Sequence, residues 1–192
     1  MQPSNVTLGC EMNKNLKFSV AGLIVMVTSL PLFAQSPDSA SLEYGIGKDT
    51  KLVRVGAQWQ WERQWLRSKN GHLGGYWDLS VAKWRQSRYQ DQFGISRDIT
   101  AVGLTPIFQY QANGKTGMFG EAGIGVYRLS SLYDNSGHQL STKFQFGDHL
   151  GVGYRFENAW EASVKLQHFS NGGIKHPNGG VNYLLVRVAK KF

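Results

Sequence analysis

Cysteine is nearly missing from this chain: Cys10 is the one example in 192 residues. No disulfide framework of the kind that staples small secreted domains can be built from it. Acidic residues are also few, 13 against 21 Lys and Arg, for a net charge of +8. A basic balance of that size suits nucleic acid and an anionic lipid surface equally. The chain lacks the several apolar runs of about 20 residues that a helical membrane protein needs, and its mean hydropathy is −0.33. It has no glycine-rich phosphate loop, no dinucleotide fingerprint, no internal repeat and no linker, so one domain and no cofactor are expected. His72, His138 and His149 show no metal-ligand spacing, and no metal site is expected. What the chain does have is glycine, 23 residues, and aromatics, with 10 Phe, 8 Tyr and 6 Trp. That aromatic load excludes a disordered chain.

The N-terminal residues read as an address. Lys14 and Lys17 precede an uncharged apolar stretch, Phe18 to Ala34, that ends in small residues. This is the pattern of a secretory signal peptide over 1–34, with Met12 as the expected start and cleavage after Ala34, or after Ser36 as the fallback. An N-terminal membrane anchor is the alternative, and the run is short for a span. Cys10 in Thr7-Leu8-Gly9-Cys10 has no apolar core before it, so a lipoprotein signal is rejected. Cleavage removes Lys14, Lys17 and Glu11, taking the charge from +8 to +7 and leaving 158 residues without cysteine. An exported, cysteine-free chain is ordinary for a bacterial envelope protein. Export also turns the basic charge away from nucleic acid.

From residue 41 the dominant signal is alternation with period two, the strand period. Val53, Val55, Ala57, Trp59 and Trp61 alternate with Arg54, Gly56, Gln58 and Gln60. Trp160, Ala162, Val164 and Leu166 alternate with Glu161, Ser163, Lys165 and Gln167. Eight such segments are expected, at 40–48, 51–65, 74–86, 98–111, 117–130, 142–156, 159–170 and 181–192. Turn-like pieces lie between them, among them Asn113-Gly114, Asp134-Asn135-Ser136-Gly137 and Glu157-Asn158. One face of these segments is apolar and the other is rich in Gly, Gln, Ser, Lys and Arg. Strands of about ten residues span a bilayer when tilted, and barrel closure satisfies every backbone group. The expected fold is therefore all-β: an eight-stranded antiparallel transmembrane β-barrel of the bacterial outer membrane, spanning 35–192. A soluble lipocalin-like barrel is the alternative. The terminal Phe192 after an amphipathic strand resembles the sorting signal of outer-membrane proteins. Glu43 and Glu121 fall at interior or rim positions. The tryptophans at 59, 61, 65, 77 and 84 read as girdle or packing residues.

With termini on the periplasmic side, the turn at Glu157-Asn158 is periplasmic and Asn171–Gly180 extracellular. Just before that loop, His168 and Ser170 share a face, and their parity with Trp160, Ala162, Val164 and Leu166 puts both on the apolar side. A histidine beside a serine there is poorly explained by folding. Such a pair can abstract a serine proton and protonate a leaving group. If Phe156 pairs with Trp160, then Asp148 opposes His168. If Val186 pairs with Val164, Asn182 flanks His168 on the other side. Asp148 also interrupts the apolar face of Phe144, Phe146, Leu150 and Val152, where a carboxylate is costly without a task.

The run His168-x-Ser170-Asn171-x-Gly173-x-x-x-Pro177-Asn178-x-Gly180 resembles the C-terminal motif of the lipid A 3-O-deacylase (PagL) family of outer-membrane acyl ester hydrolases. The close resemblance covers 167–192; the barrel pattern and signal peptide extend it more loosely. It implies a serine esterase acting on lipid A of lipopolysaccharide, with the site outside the barrel. By motif position Ser170 is then the nucleophile, His168 the general base, and Asn178 the oxyanion residue, with Asn171 as a second candidate for that task. Lys175 and His176 could hold sugar phosphates by charge. The chain departs from the family at the acid: Asn182 stands where the family has Glu. An amide oxygen can orient His168 but carries no charge to stabilise imidazolium. Asp148 is the alternative acid, with Asn182 as co-orienter. Lipopolysaccharide and the outer membrane are thus the expected partners, nucleic acid is not, and a homodimer is left open. A non-catalytic barrel (structural protein, adhesin or resistance factor) is the rival function, and an acyltransferase or phospholipase on the same fold is a third.

Overall fold

The computed structural model describes residues 35–114 and 116–192. The expected signal peptide, with its start at Met12 and its cleavage site, lies outside the described residues. The strands are β1 (Ser39–Gly47), β2 (Thr50–Gln60), β3 (Gly71–Gln86), β4 (Arg97–Ala112), β5 (Gly117–Leu129), β6 (Tyr133–Asn135), β7 (His138–Leu140), β8 (Phe144–Arg155), β9 (Trp160–Ser170) and β10 (Val181–Lys191). Eight of them close into an antiparallel barrel in the order β1-β10-β9-β8-β5-β4-β3-β2, while β6 and β7 form a separate hairpin. The start of β1, the end of β10 and the connections that follow β2, β4 and β8 lie at one end, here the terminal end. Connections 48–49, 87–96, 130–143 and 171–180 lie at the other, the loop end.

The alternation in the sequence becomes an inverted sandwich of environments. Leu42, Ile46, Val53, Ile124, Leu150 and Leu166 point outward and are exposed, whereas Glu43, Arg54, Gln109, Glu121, Lys165 and Arg187 point inward and are buried. A soluble barrel places these classes the other way round. An apolar wall around a polar lumen is the arrangement that lipid demands.

The lumen is filled in two layers. Toward the loop end, Trp84 packs against Phe169 at 4.6 Å and Tyr183 at 5.3 Å, and Tyr133 of β6 closes over it at 6.1 Å. Tyr127 joins this cluster through Phe169 at 5.0 Å. Its ring fits because Gly147 faces it: a Cβ there would lie 2.5 Å from Tyr127 and 2.7 Å from Phe169. Nearer the terminal end, Glu43 pairs with Lys165 at 2.7 Å, Arg54 at 3.1 Å and Arg187 at 3.6 Å. Glu161 pairs with Arg155 at 2.7 Å, Lys191 at 3.3 Å and Arg187 at 3.5 Å. Glu121 accepts a hydrogen bond from Tyr76 at 2.9 Å. Both expected interior acids, Glu43 and Glu121, are therefore inside.

Two expectations about elements change. The second segment, expected to reach residue 65, is regular strand only to Gln60; beyond it Trp61 N–H still bonds the Gly75 carbonyl and Trp65 pairs with Leu73 in an isolated bridge. Trp61 turns across the wall to stack edge-on with Phe108 at 5.0 Å and Trp77 at 6.2 Å, in space left by Gly75. Asp134–Gly137 is also more than a turn. It is the tip of the β6–β7 hairpin, with Ser136 and Gly137 at φ of 52° and 77°. The tandem positive φ values give the type of turn that matches strand twist.

Candidate active site on the outer wall

The last three strands carry the site, and their register follows the sequence reasoning. His168 pairs with Asp148 on β8 and with Asn182 on β10. Ser170 pairs with Phe146. Because opposed residues share a face, Asp148, His168 and Asn182 form one outward row, and Ser170 lies one outward position nearer the loop end. Both His168 and Ser170 are half-buried.

His168 is held by two contacts, one from β10 and one from the loop before it. Its Nδ1 lies 2.6 Å from Asn182 Oδ1. An amide oxygen only accepts, so Nδ1 carries the proton and the neutral ring presents Nε2 as a lone pair. On one edge the ring is walled by Gly180, at φ 64°, where a Cβ would fall 2.6 Å from His168 Cε1. Both the dihedral and the close approach require glycine at this position. Ser170 Oγ makes no hydrogen bond among the described residues.

Asp148 is exposed, and its carboxylate makes neither an ion pair nor a hydrogen bond among the described residues. Its backbone carbonyl accepts from Gln167 Nε2 at 3.1 Å. Of the two residues flanking His168, it is thus Asn182 that bonds the ring.

The loop 171–180 is braced from inside. Asn171 is fully buried, and its backbone N–H donates to Asn178 Oδ1 at 3.0 Å. Its side-chain Nδ2 donates to the Lys175 carbonyl at 2.7 Å and to Ser141 Oγ at 3.2 Å, and its Oδ1 accepts from the Gly173 N–H at 2.9 Å. Every donor of Asn171 thus has a partner in the loops 130–143 and 171–180. In Asn178 only Oδ1 is engaged this way, which fixes the amide plane while Nδ2 stays uncommitted. Lys175 and His176 stand exposed on the loop.

The hairpin β6–β7 supplies the other half of the brace, which sequence reasoning missed. Gly179 N–H donates to the Gln139 carbonyl at 2.9 Å, Ser141 N–H to the Pro177 carbonyl at 3.1 Å, and Ser141 Oγ to the Lys175 carbonyl at 2.7 Å. A bridge joins Leu140 to Asn178. These bonds use mostly backbone groups, which leave no mark on the side-chain pattern.

An apolar wall around an ion-paired lumen defines a small membrane-spanning β-barrel, and its outward polar residues His168, Ser170, Asn182 and Asp148 gather at one place on that wall. A sequence profile of the lipid A 3-O-deacylase (PagL) family matches residues 51–191, and the chain belongs to that family. The lipid A deacylase PagL of Pseudomonas aeruginosa is 32% identical over 149 residues, covering 77% of this chain and 82% of that protein. The lipid A deacylase PagL of Bordetella bronchiseptica is 28% identical over 154 residues, covering 79% and 82%. The crystal structure of the outer membrane enzyme PagL superposes with a TM-score of 0.72 at 28% identity, over 80% of this chain and 99% of that one.

Proposed function

We propose that this chain is an outer-membrane serine esterase that removes the ester-linked 3-O acyl chain from lipid A. The observation that carries the reading is the 2.6 Å bond between His168 Nδ1 and Asn182 Oδ1, which leaves Nε2 free to act as a base, with Ser170 two residues along the same strand on the same face. In this reading Ser170 Oγ attacks the ester carbonyl carbon while His168 Nε2 takes its proton. Asn178 Nδ2, with its amide plane fixed by Asn171, donates to the oxyanion of the tetrahedral intermediate. Collapse breaks the bond to the sugar oxygen, which leaves with the proton from His168. Water then attacks the acyl-serine, giving one proton to His168, and Ser170 Oγ regains that proton as the fatty acid departs.

Asn182 fixes the tautomer, and the Asp148 charge, one strand away on the opposite flank, favours the imidazolium that forms. Lys175 and His176 offer cationic contacts to the saccharide above the membrane. The loop end is the extracellular end, so the site meets the outer leaflet where lipopolysaccharide resides. The test is mass spectrometry of lipid A incubated with the refolded barrel. Wild type releases one 3-hydroxyacyl chain, and Ser170→Ala and His168→Ala release none. Intact lipid A with wild type, under conditions where a known deacylase works, overturns the reading.

A further inference from the structure

The arginines toward the loop end differ in one respect. Arg85 bonds Ser96 and Asp98, Arg88 pairs with Asp49, and Arg97 bonds Tyr89. Arg128, exposed on the outward face of β5, has no ion pair or hydrogen bond among the described residues. A guanidinium at the loop-end edge of the apolar wall, with no counter-charge among the described residues, is placed to meet an anion. Beside it the wall is notched by a groove of about 240 Å³, lined by Leu79, Val102, Leu104, Val126, Arg128 and Phe144. Apart from the guanidinium, these are apolar side chains.

The position of this groove follows from the register. Ser170 pairs with Phe146, Phe146 with Val126, Val126 with Leu104, and Leu104 with Leu79, one continuous outward row across five strands. Val126 is two strand spacings from Ser170, about 10 Å. Arg128 lies two residues nearer the loop end, roughly 7 Å along its strand. An ester at Ser170 sits at the top of an acyl layer, and a phosphate on the same glycolipid sits above that layer, on the side where Arg128 stands.

We propose that Arg128 and the groove below it form a second recognition site, in which the guanidinium binds a phosphate of the lipid A molecule being cleaved and one of its acyl chains lies in the groove. This rests on the reading of Ser170 as nucleophile. Arginine suits the task because its planar fork can engage two phosphate oxygens at once.

The experiment compares Arg128→Gln and Arg128→Lys with wild type in neutral phosphatidylcholine vesicles, using lipid A and the same lipid A stripped of phosphate. The expected result is a fall of about tenfold in the ratio of kcat/KM for phosphorylated over dephosphorylated substrate in Arg128→Gln, with partial recovery in Arg128→Lys. Leu104→Trp, which fills the groove, slows both substrates alike. An unchanged ratio in Arg128→Gln overturns the proposal. A binding arm in the Ser170→Ala background reads retention of phosphorylated lipid A without catalysis. Retention that Arg128→Gln weakens supports the site, even if wild type cleaves nothing and the esterase reading fails. Equal displacement by phosphatidylglycerol overturns it, because the groove then takes any anionic lipid.

Discussion

One residue departs from the pattern the resemblance implies: the group that bonds His168 is the amide of Asn182, where that pattern has the longer Glu carboxylate. An amide oxygen selects the tautomer as well as a carboxylate does, yet it adds no charge when the ring becomes protonated. Asn182→Ala is therefore expected to lower kcat on lipid A by roughly 10²-fold, the lower end of what a positioned general base contributes, with KM little changed. Asn182→Glu is expected to raise kcat above wild type, because the bond is kept and a charge is added. Asp148→Asn removes a charge one strand spacing from the ring and is expected to cost about fivefold in kcat. Equal rates for wild type and Asp148→Asn would assign Asp148 to the membrane–water boundary alone. Asp148 was legible because strand parity and one tight turn determine who opposes whom, and Asn182 because aligning Val186 with Val164 sets the register across the last loop. Which of Asp148 and Asn182 bonds the ring was not, since both oppose His168 and only side-chain rotamers decide. Gly180 escaped for a related reason. Its value lies in what a Cβ would strike, and that depends on a ring brought in from another strand.

At the scale of elements, the eight long strands announced themselves through ten or so residues of alternation, whereas β6 and β7 are three residues each. Three residues hold too little alternation to be read, and this short hairpin braces the loop behind Ser170. The overlong reading of β2 has a different cause. Trp61 keeps the apolar parity of its strand and stacks on Phe108 and Trp77, but past Gln60 the pairing with β3 is reduced to scattered bonds and the bridge at Trp65. Because the brace converges on buried Asn171 and half-buried Ser141, Asn171→Ala removes the side-chain bonds to the Lys175 carbonyl, Ser141 Oγ and the Gly173 N–H, and the backbone N–H that holds Asn178 loses its support. The expected outcome is faster proteolysis within 171–180 and a loss of activity, while the thermal transition of the barrel stays in place. Limited proteolysis of the refolded protein checks this. Coincident loss of the barrel transition would show that the loop supports the fold itself.

For the whole molecule, stability is concentrated in the lumen. Glu43 pairs with three buried cations, and Glu43→Gln leaves Arg54, Lys165 and Arg187 with one acid fewer among them. Breaking a buried pair from one side costs about 3–5 kcal/mol, and urea titration of the barrel in vesicles should register a loss of that order. The sequence exposed the sign of this interior, polar within and apolar without. Which acid meets which base was beyond it, because those partners lie on strands separated by most of the chain. A lumen occupied by an aromatic layer and an ion-paired layer also leaves no clear passage for solutes. On the proposed reading the chemistry takes place on the outside of the wall, and the barrel has no use for a pore. A membrane carrying many copies would remain as impermeable as one carrying none, so the abundance of such a protein can rise without leakage.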